Sequence, residues 1–251
     1  MNRPSLSSSA SSSASPSAAP RPLGIPSLVG ITLIGLLCVL AWDASGLDLA
    51  AAQVFGTPAG FPWRWSKQLS FWLHDVPRVG SWFVLAACFA SIRWPVGALR
   101  RLDRIERAQL ALSALAAVLA VSLMKSNSQT SCPWDLKVFG GVAHYVSHWA
   151  IGVADGGPGG CFPAGHASAA FAWFGGYFVF RRAAPVTARR WLIAVLVLGG
   201  VFGIVQQMRG AHYMSHTLWT AWICWTVAFA IDAAVRFVRR PALRLAVEKA
   251  T

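Results

Sequence analysis

The sequence predicts an all-α fold, a polytopic membrane bundle of about six transmembrane helices with an outer segment lying on the surface. Three observations carry this. Hydrophobic residues make up 55% of the 251-residue chain and charged residues only 12%, about half the ~25% of a soluble domain, too few for a water-facing surface. The apolar residues gather into uncharged runs of the length a helix needs to cross the hydrocarbon, roughly 17 to 25 residues. The remaining charge is lopsided, with 22 Lys and Arg against 9 Asp and Glu for a net +13. The aromatic and branched content excludes disorder for most of the chain. A nucleic-acid binder could reach the same sum, but on a soluble domain. We therefore expect the bilayer as partner, and no nucleic acid.

In chain order, residues 1–22 read as a disordered cytoplasmic tail. Positions 5–19, SLSSSASSSASPSAA, lack the apolar block of a secretion signal. Span one is the 21 uncharged residues between Arg21 and Asp43, too long, and without a convincing cleavage site, to be a removed signal. The outer segment 46–79 contains Trp63, Trp65 and Trp72, and tryptophan favours the headgroup level. Span two covers about 79–99 and is interrupted by Arg93, placed near the inner boundary where its charge can snorkel. Span three is the 17 residues between Arg107 and Lys125. Span four covers about 163–180, after a glycine-rich stretch. Spans five and six are the 18 residues between Arg190 and Arg209 and the 22 between Arg209 and Asp232. The membrane domain is thus 23–240, followed by a basic cytoplasmic tail, 241–251.

Orientation follows from the basic residues. Arg93, Arg100, Arg101, Arg104 and Arg107 lie between spans two and three, and Arg181, Arg182, Arg189 and Arg190 between four and five. Arg236, Arg239, Arg240, Arg244 and Lys249 follow span six. That is 14 of 22 on one side, or 16 with Arg3 and Arg21, so by the positive-inside rule both termini are cytoplasmic. Lys125, His166, Arg209, His212 and His216 then converge on the outer face, where ionisable residues at helix ends are functional candidates.

The sequence around them resembles the type 2 phosphatidic acid phosphatase and haloperoxidase superfamily, whose signature is Lys-x6-Arg-Pro, Pro-Ser-Gly-His and Ser-Arg-x5-His-x3-Asp. The blocks here are Lys125-x6-Cys132-Pro133, Pro163-Ala164-Gly165-His166, and the stretch from Gln206 through Arg209 and His212 to His216. Cys132 stands at the arginine position, Ala164 at the serine and His216 at the aspartate. Gln206 occupies the third-block arginine position, and Arg209 follows about one helical turn later. A register with His216 as the family histidine would put Thr220 at the aspartate, and we prefer His212.

The resemblance implies a phosphatase. Such chemistry needs cations and N–H donors on the equatorial oxygens and in-line attack. Lys125 and Arg209 would supply charge, and the N–H groups of Gly165 and His166 a helix N-terminus suited to anions. His212 would attack phosphorus to give a phosphohistidine, and His166 would protonate the leaving oxygen and then activate water. His216 would face His212 if this stretch is helical. Asp135 or Asp155 could replace the missing carboxylate, and nothing in the sequence selects one.

No cofactor is expected. His144-x3-His148 and His212-x3-His216 have a spacing that can hold one ion, but no glutamate motif accompanies them. Cys38, Cys88 and Cys224 fall within spans as small apolar residues. Cys132 and Cys161 bracket the outer loop, where a disulfide is permitted, and we expect a bridge pinning 156–160 beside the phosphate site. The expected function is an inner-membrane, multi-pass, metal-independent phosphatase acting on a lipid-linked phosphate or diphosphate at the extracytoplasmic face. The alternative is a non-enzymatic lipid-phosphate binder or transporter. Nothing in the sequence identifies a protein partner.

Overall fold

The computed structural model describes residues 23–248, so the expected tail at 1–22 and the last three residues lie outside the described part. Helix α1 (Ile25–Ser45) begins with Pro26 in its first turn, where a missing N–H is harmless, and stops at Gly46, whose φ of 67° suits glycine. Only Leu28 and Val39 of α1 are buried, and Leu33, Ile34 and Leu37 face outward. After α2 (Leu47–Gln53), Ser66 caps α3 (Lys67–Ser70) by accepting from the Leu69 N–H. Helix α3 runs through a π-helical turn, Phe71–Asp75, into α4 (Val76–Ser91). Helix α5 (Arg104–Ser126) starts with a reciprocal capping box between Asp103 and Glu106. Helices α6 (Ser168–Phe171) and α7 (Gly175–Ala183) are joined by a 3₁₀ turn, Ala172–Phe174. Helix α8 (Pro185–Met208) turns sharply into α9 (Met214–Glu248).

The result is an all-α membrane bundle. Four helical stretches are long and apolar enough to cross a bilayer: Ile25–Ser45, Arg104–Ser126, Pro185–Met208 and Met214–Arg239. The second and fourth expected spans are composite, and their boundaries move. Span two begins at Lys67 instead of 79, so Trp72 belongs to the helix while Trp63 and Trp65 stay exposed on the segment before it. It ends at Ser91, short of Arg93, because Pro95 disfavours helix in the residue before it. Span four starts at Ser168 and is buried along most of its length, among α5, α8 and α9. Its glycines and its arginines at 181 and 182 keep its hydropathy low, and neighbouring helices shield it. Helix α9 continues to Glu248, past position 240.

The core is a stripe on α5, Leu110, Ala114, Ala117 and Val121, against Phe171, Phe174 and Phe178 and against Trp219, Ile223 and Cys224 of α9. Small residues bring backbones together: a Cβ on Gly203 of α8 would come within 2.2 Å of Thr217 Cγ2 on α9. Trp222 and Trp225 tie α1 to α9 by donating to the Thr32 carbonyl at 3.0 Å and hydroxyl at 2.8 Å. Away from Lys125, at the other end of the bundle, buried Asp232 accepts from Arg181 at 2.7 Å and Gln109 at 3.2 Å, and pairs with Arg236. Arg181 is therefore not the loop charge the sequence suggested; it is a buried clasp that also donates to the Leu23 carbonyl. Arg107 likewise organises the α4–α5 connection, donating to the carbonyls of Ile92, Leu99 and Leu102.

A second small core caps the opposite end. Leu136, Phe139 and Ala143 of the long loop pack with Ala52, Phe61 and Tyr213. This cap rests on the α8–α9 turn, where the Trp134 N–H donates to the Gly210 carbonyl at 2.9 Å.

Candidate active site

The α5 C-terminus, the turn before α6 and the α8–α9 turn meet under this cap. The stem of Lys125 crosses Gly165, where an added Cβ would lie 3.4 Å from Lys125 Cδ. Gly165 and His166 sit in a turn ahead of the four-residue α6. Their N–H groups are therefore turn amides and not the start of a long helix, which corrects the expected helix N-terminus. The turn is held from below: Ala164 donates to the His216 carbonyl at 3.2 Å, and the Thr220 hydroxyl donates to the Ala164 carbonyl at 3.1 Å. Thr220, at the aspartate position of the alternative register, thus spends its hydroxyl on the backbone carbonyls of Ala164 and His216.

Arg209 caps α8 and is buried. Its guanidinium donates to Gln206 Oε1 at 3.4 Å, the Arg64 carbonyl at 3.4 Å and Ser70 Oγ at 3.5 Å. Gln206, at the third-block arginine position, is a neutral brace for Arg209 and brings no charge of its own. Burial pushes the Arg209 guanidinium down from its usual range, opposed by the charge of Asp75.

His212 is 2% exposed, with its ring centroid 6.1 Å from His166 and 5.9 Å from His216. Burial, then Lys125, His216 and His166, hold His212 well below the usual imidazole range, which favours the neutral ring. Burial and the charges of His74, Lys125, Arg209 and Arg78 push His166 down to about 3. His216 lies in the first turn of α9, which starts at Met214, so residues 212–216 are not one helical face. It packs edge-on against Phe162 and Tyr213, and its Nδ1 has no partner among the described residues. Among the described residues no hydrogen bond joins the two rings, so His216 does not accept one from His212.

Neither loop carboxylate replaces the family aspartate. Asp155 is taken up by Ser131 N at 2.6 Å, Ser131 Oγ at 2.8 Å and Gly157 N at 2.9 Å. Asp135 accepts from Trp134 Nε1 at 2.9 Å and faces Arg64 at 4.0 Å. The structure instead joins Cys132 to Cys161 and sets a sulfur of that disulfide 3.5 Å from His212 Nδ1.

The first of the two histidine pairs is split between different partners. His144 contacts Lys137 Nζ at 3.0 Å, whereas His148 stacks on Phe162 and lies 3.3 Å from Asp43. Among the described residues, Cys132, Cys161 and His212 bring potential metal-ligating atoms within 4.8 Å of one another, but a disulfide offers no thiolate.

Sequence reasoning missed three contributors. His74 stacks on His166 at 3.7 Å between ring centroids. Asp48 caps the start of α9 through the Ser215 N–H at 3.0 Å and hydroxyl, and Asp43 accepts from Trp149 at 3.0 Å and Trp219 at 2.8 Å. Asp43 had served only to mark the end of span one, Asp48 had been given no role, and His74 sits in no recognisable pattern.

A groove of about 740 Å³ leads to the site between α4, α5 and α6. Arg78, Lys125, Gly165 and His166 line its capped end, and Val79, Phe83, Val118 and Trp173 line the rest.

Fold and site together define a membrane helical bundle in which lysine, arginine and imidazole groups meet at the helix ends. The profile of the PAP2 superfamily matches residues 107–240, and the chain belongs to this superfamily of phosphatases and haloperoxidases. The match spans α5 to α9 and holds Lys125, His166, Arg209, His212 and His216, while α1 to α4 precede it. No curated relative and no solved structure matches the chain.

Proposed function

We propose that the protein is an integral membrane phosphatase that hydrolyses a lipid-linked phosphate or diphosphate on the extracytoplasmic face through a phosphohistidine. The observation that carries this reading is the groove: apolar along about three turns of α4 and α5, and cationic where Lys125 and His166 close it. Phe83 and Trp82 on its rim are 73% and 53% exposed, so a chain lying in the bilayer has lateral access while its phosphate reaches the capped end.

In this reading the phosphoryl group sits between Lys125, Arg209 and the amides of Gly165 and His166. These donors compensate charge that grows on the equatorial oxygens. Neutral His212 attacks phosphorus along the line of the leaving oxygen, and a P–N bond forms as the P–O bond breaks. His166 delivers a proton to that oxygen, then takes one from the water that cleaves the phosphohistidine. A sulfur of the Cys132–Cys161 bridge lies 3.5 Å from His212 Nδ1 and the ring is enclosed on all sides, so the loop that holds this bridge helps to orient it. In this reading both termini are cytoplasmic in an inner membrane and the site lies outside, an orientation supported by the basic loops.

The test is phosphate release by purified protein from a panel of lipid monophosphates and diphosphates, in the presence of a strong chelator. Wild type should turn over, and His212→Ala and His166→Ala should each abolish release. Binding of the same lipids without turnover would instead establish the non-enzymatic binder.

A further inference from the structure

Ser70, His74 and Arg78 recur at four-residue intervals along the stretch that runs from α3 through the π turn into α4, before the start of the superfamily match. All three meet the candidate site. Ser70 Oγ is 3.5 Å from Arg209 Nη2, the His74 ring lies 3.7 Å from that of His166 with a 34° tilt, and Arg78 lines the groove with Lys125. His74 belongs to the π-helical turn Phe71–Asp75. Such turns are rare and recur at functional sites, because the extra residue re-aims a side chain. The neighbouring Asp75 contacts His74 Nδ1 at 2.7 Å, which fixes the ring and leaves its face for His166.

His166 needs such a neighbour. Its Nδ1 is buried without a partner among the described residues, so no hydrogen bond from that nitrogen sets the plane of the ring. The charged and titratable groups around it come from every side: His74, Asp75 and Arg78 from the π turn and α4, Lys125 from α5, and Arg209 and His212 from the α8–α9 turn.

We propose that His74, oriented by Asp75, is a positioning residue that acts through His166, fixing the plane of that imidazole and opposing a proton on it until a phosphoryl group arrives. Its effect on turnover rests on the phosphatase reading; its effect on His166 does not. Two variants separate shape from charge. His74→Phe keeps a flat ring against His166 and removes the titratable group, and His74→Ala removes both.

Histidine-labelled protein in micelles, with His166→Gln to assign the resonance, reports the titration of His166 directly. In both His74 variants His166 should take up its proton at a higher pH than in wild type. In kinetics His74→Ala should lower kcat by roughly tenfold to a hundredfold with KM little changed, and His74→Phe should recover most of the plateau kcat. A His166 titration unmoved in both variants overturns the proposal whether or not the protein turns over. If wild type releases no phosphate while the titration moves as expected, the phosphatase reading fails and the His74–His166 coupling stands.

Discussion

Burial, then His74 and the charges of Lys125, Arg209 and Arg78, push His166 down to about 3, which favours the unprotonated ring near neutral pH. A general acid in that state must receive its proton with the substrate. A phosphate monoester has its second pKa at about 6, so its monoanion can carry the proton in while the dianion cannot. The sign follows: kcat/KM for a lipid monophosphate should fall as pH rises through the substrate's second pKa. An analogue with a higher second pKa should move that limb upward by the same amount. Comparing the two pH profiles decides it, because a limb that stays put belongs to the enzyme. A second lesson at this scale concerns Gln206 and Arg209. The motif register named the position that lost its arginine, but only the fold shows the glutamine bracing the arginine one turn on. That contact depends on where α8 stops.

The long loop between α5 and α6 is the element on which the site depends, because it has no helix of its own beyond two 3₁₀ turns. Asp155 ties its ends together through Ser131, and the Cys132–Cys161 bridge closes it across the His212 turn. A bridge over 28 intervening residues stabilises by about 3 to 4 kcal/mol in the chain-entropy model. Replacing Cys132 and Cys161 together by Ser should therefore lower the unfolding midpoint and impair phosphate release, while the far-ultraviolet dichroism of the bundle stays intact. Cys38→Ser, on α1, is the control and should leave both unchanged. Equal melting of the bridged and unbridged proteins would show that the cap stands without its disulfide. Both cysteines were legible in the sequence because they bracket a glycine-rich loop. The π turn was not, since Phe71–Asp75 carries no residue that would distinguish it from ordinary helix.

At the scale of the whole molecule, the long apolar runs made four crossings legible, and the two composite ones were blurred by opposite effects. Span two was displaced because polar residues such as Lys67 and His74 belong to its helix. Span four was obscured because a segment surrounded by protein needs little hydropathy of its own. Charge counting treated arginines alike, yet Arg181 is 3% exposed and shares Asp232 with Gln109 and Arg236, whereas Arg182 beside it is exposed. This clasp joins α5, α7 and α9 and reaches the start of α1, at the end of the bundle away from the site. Removing one partner of a buried pair leaves the other uncompensated, at a cost of about 3 to 5 kcal/mol, while replacing both with apolar residues is often neutral. Arg181→Leu and Asp232→Leu should each lower the thermal midpoint in detergent, and the double variant should recover most of the loss. Arg182→Leu should change the midpoint little. If the double variant melts no higher than the worse single variant, the arginine and aspartate act separately. Recovery of both stability and phosphate release in the double variant would show that the clasp serves the bundle and not the chemistry some four turns of helix away.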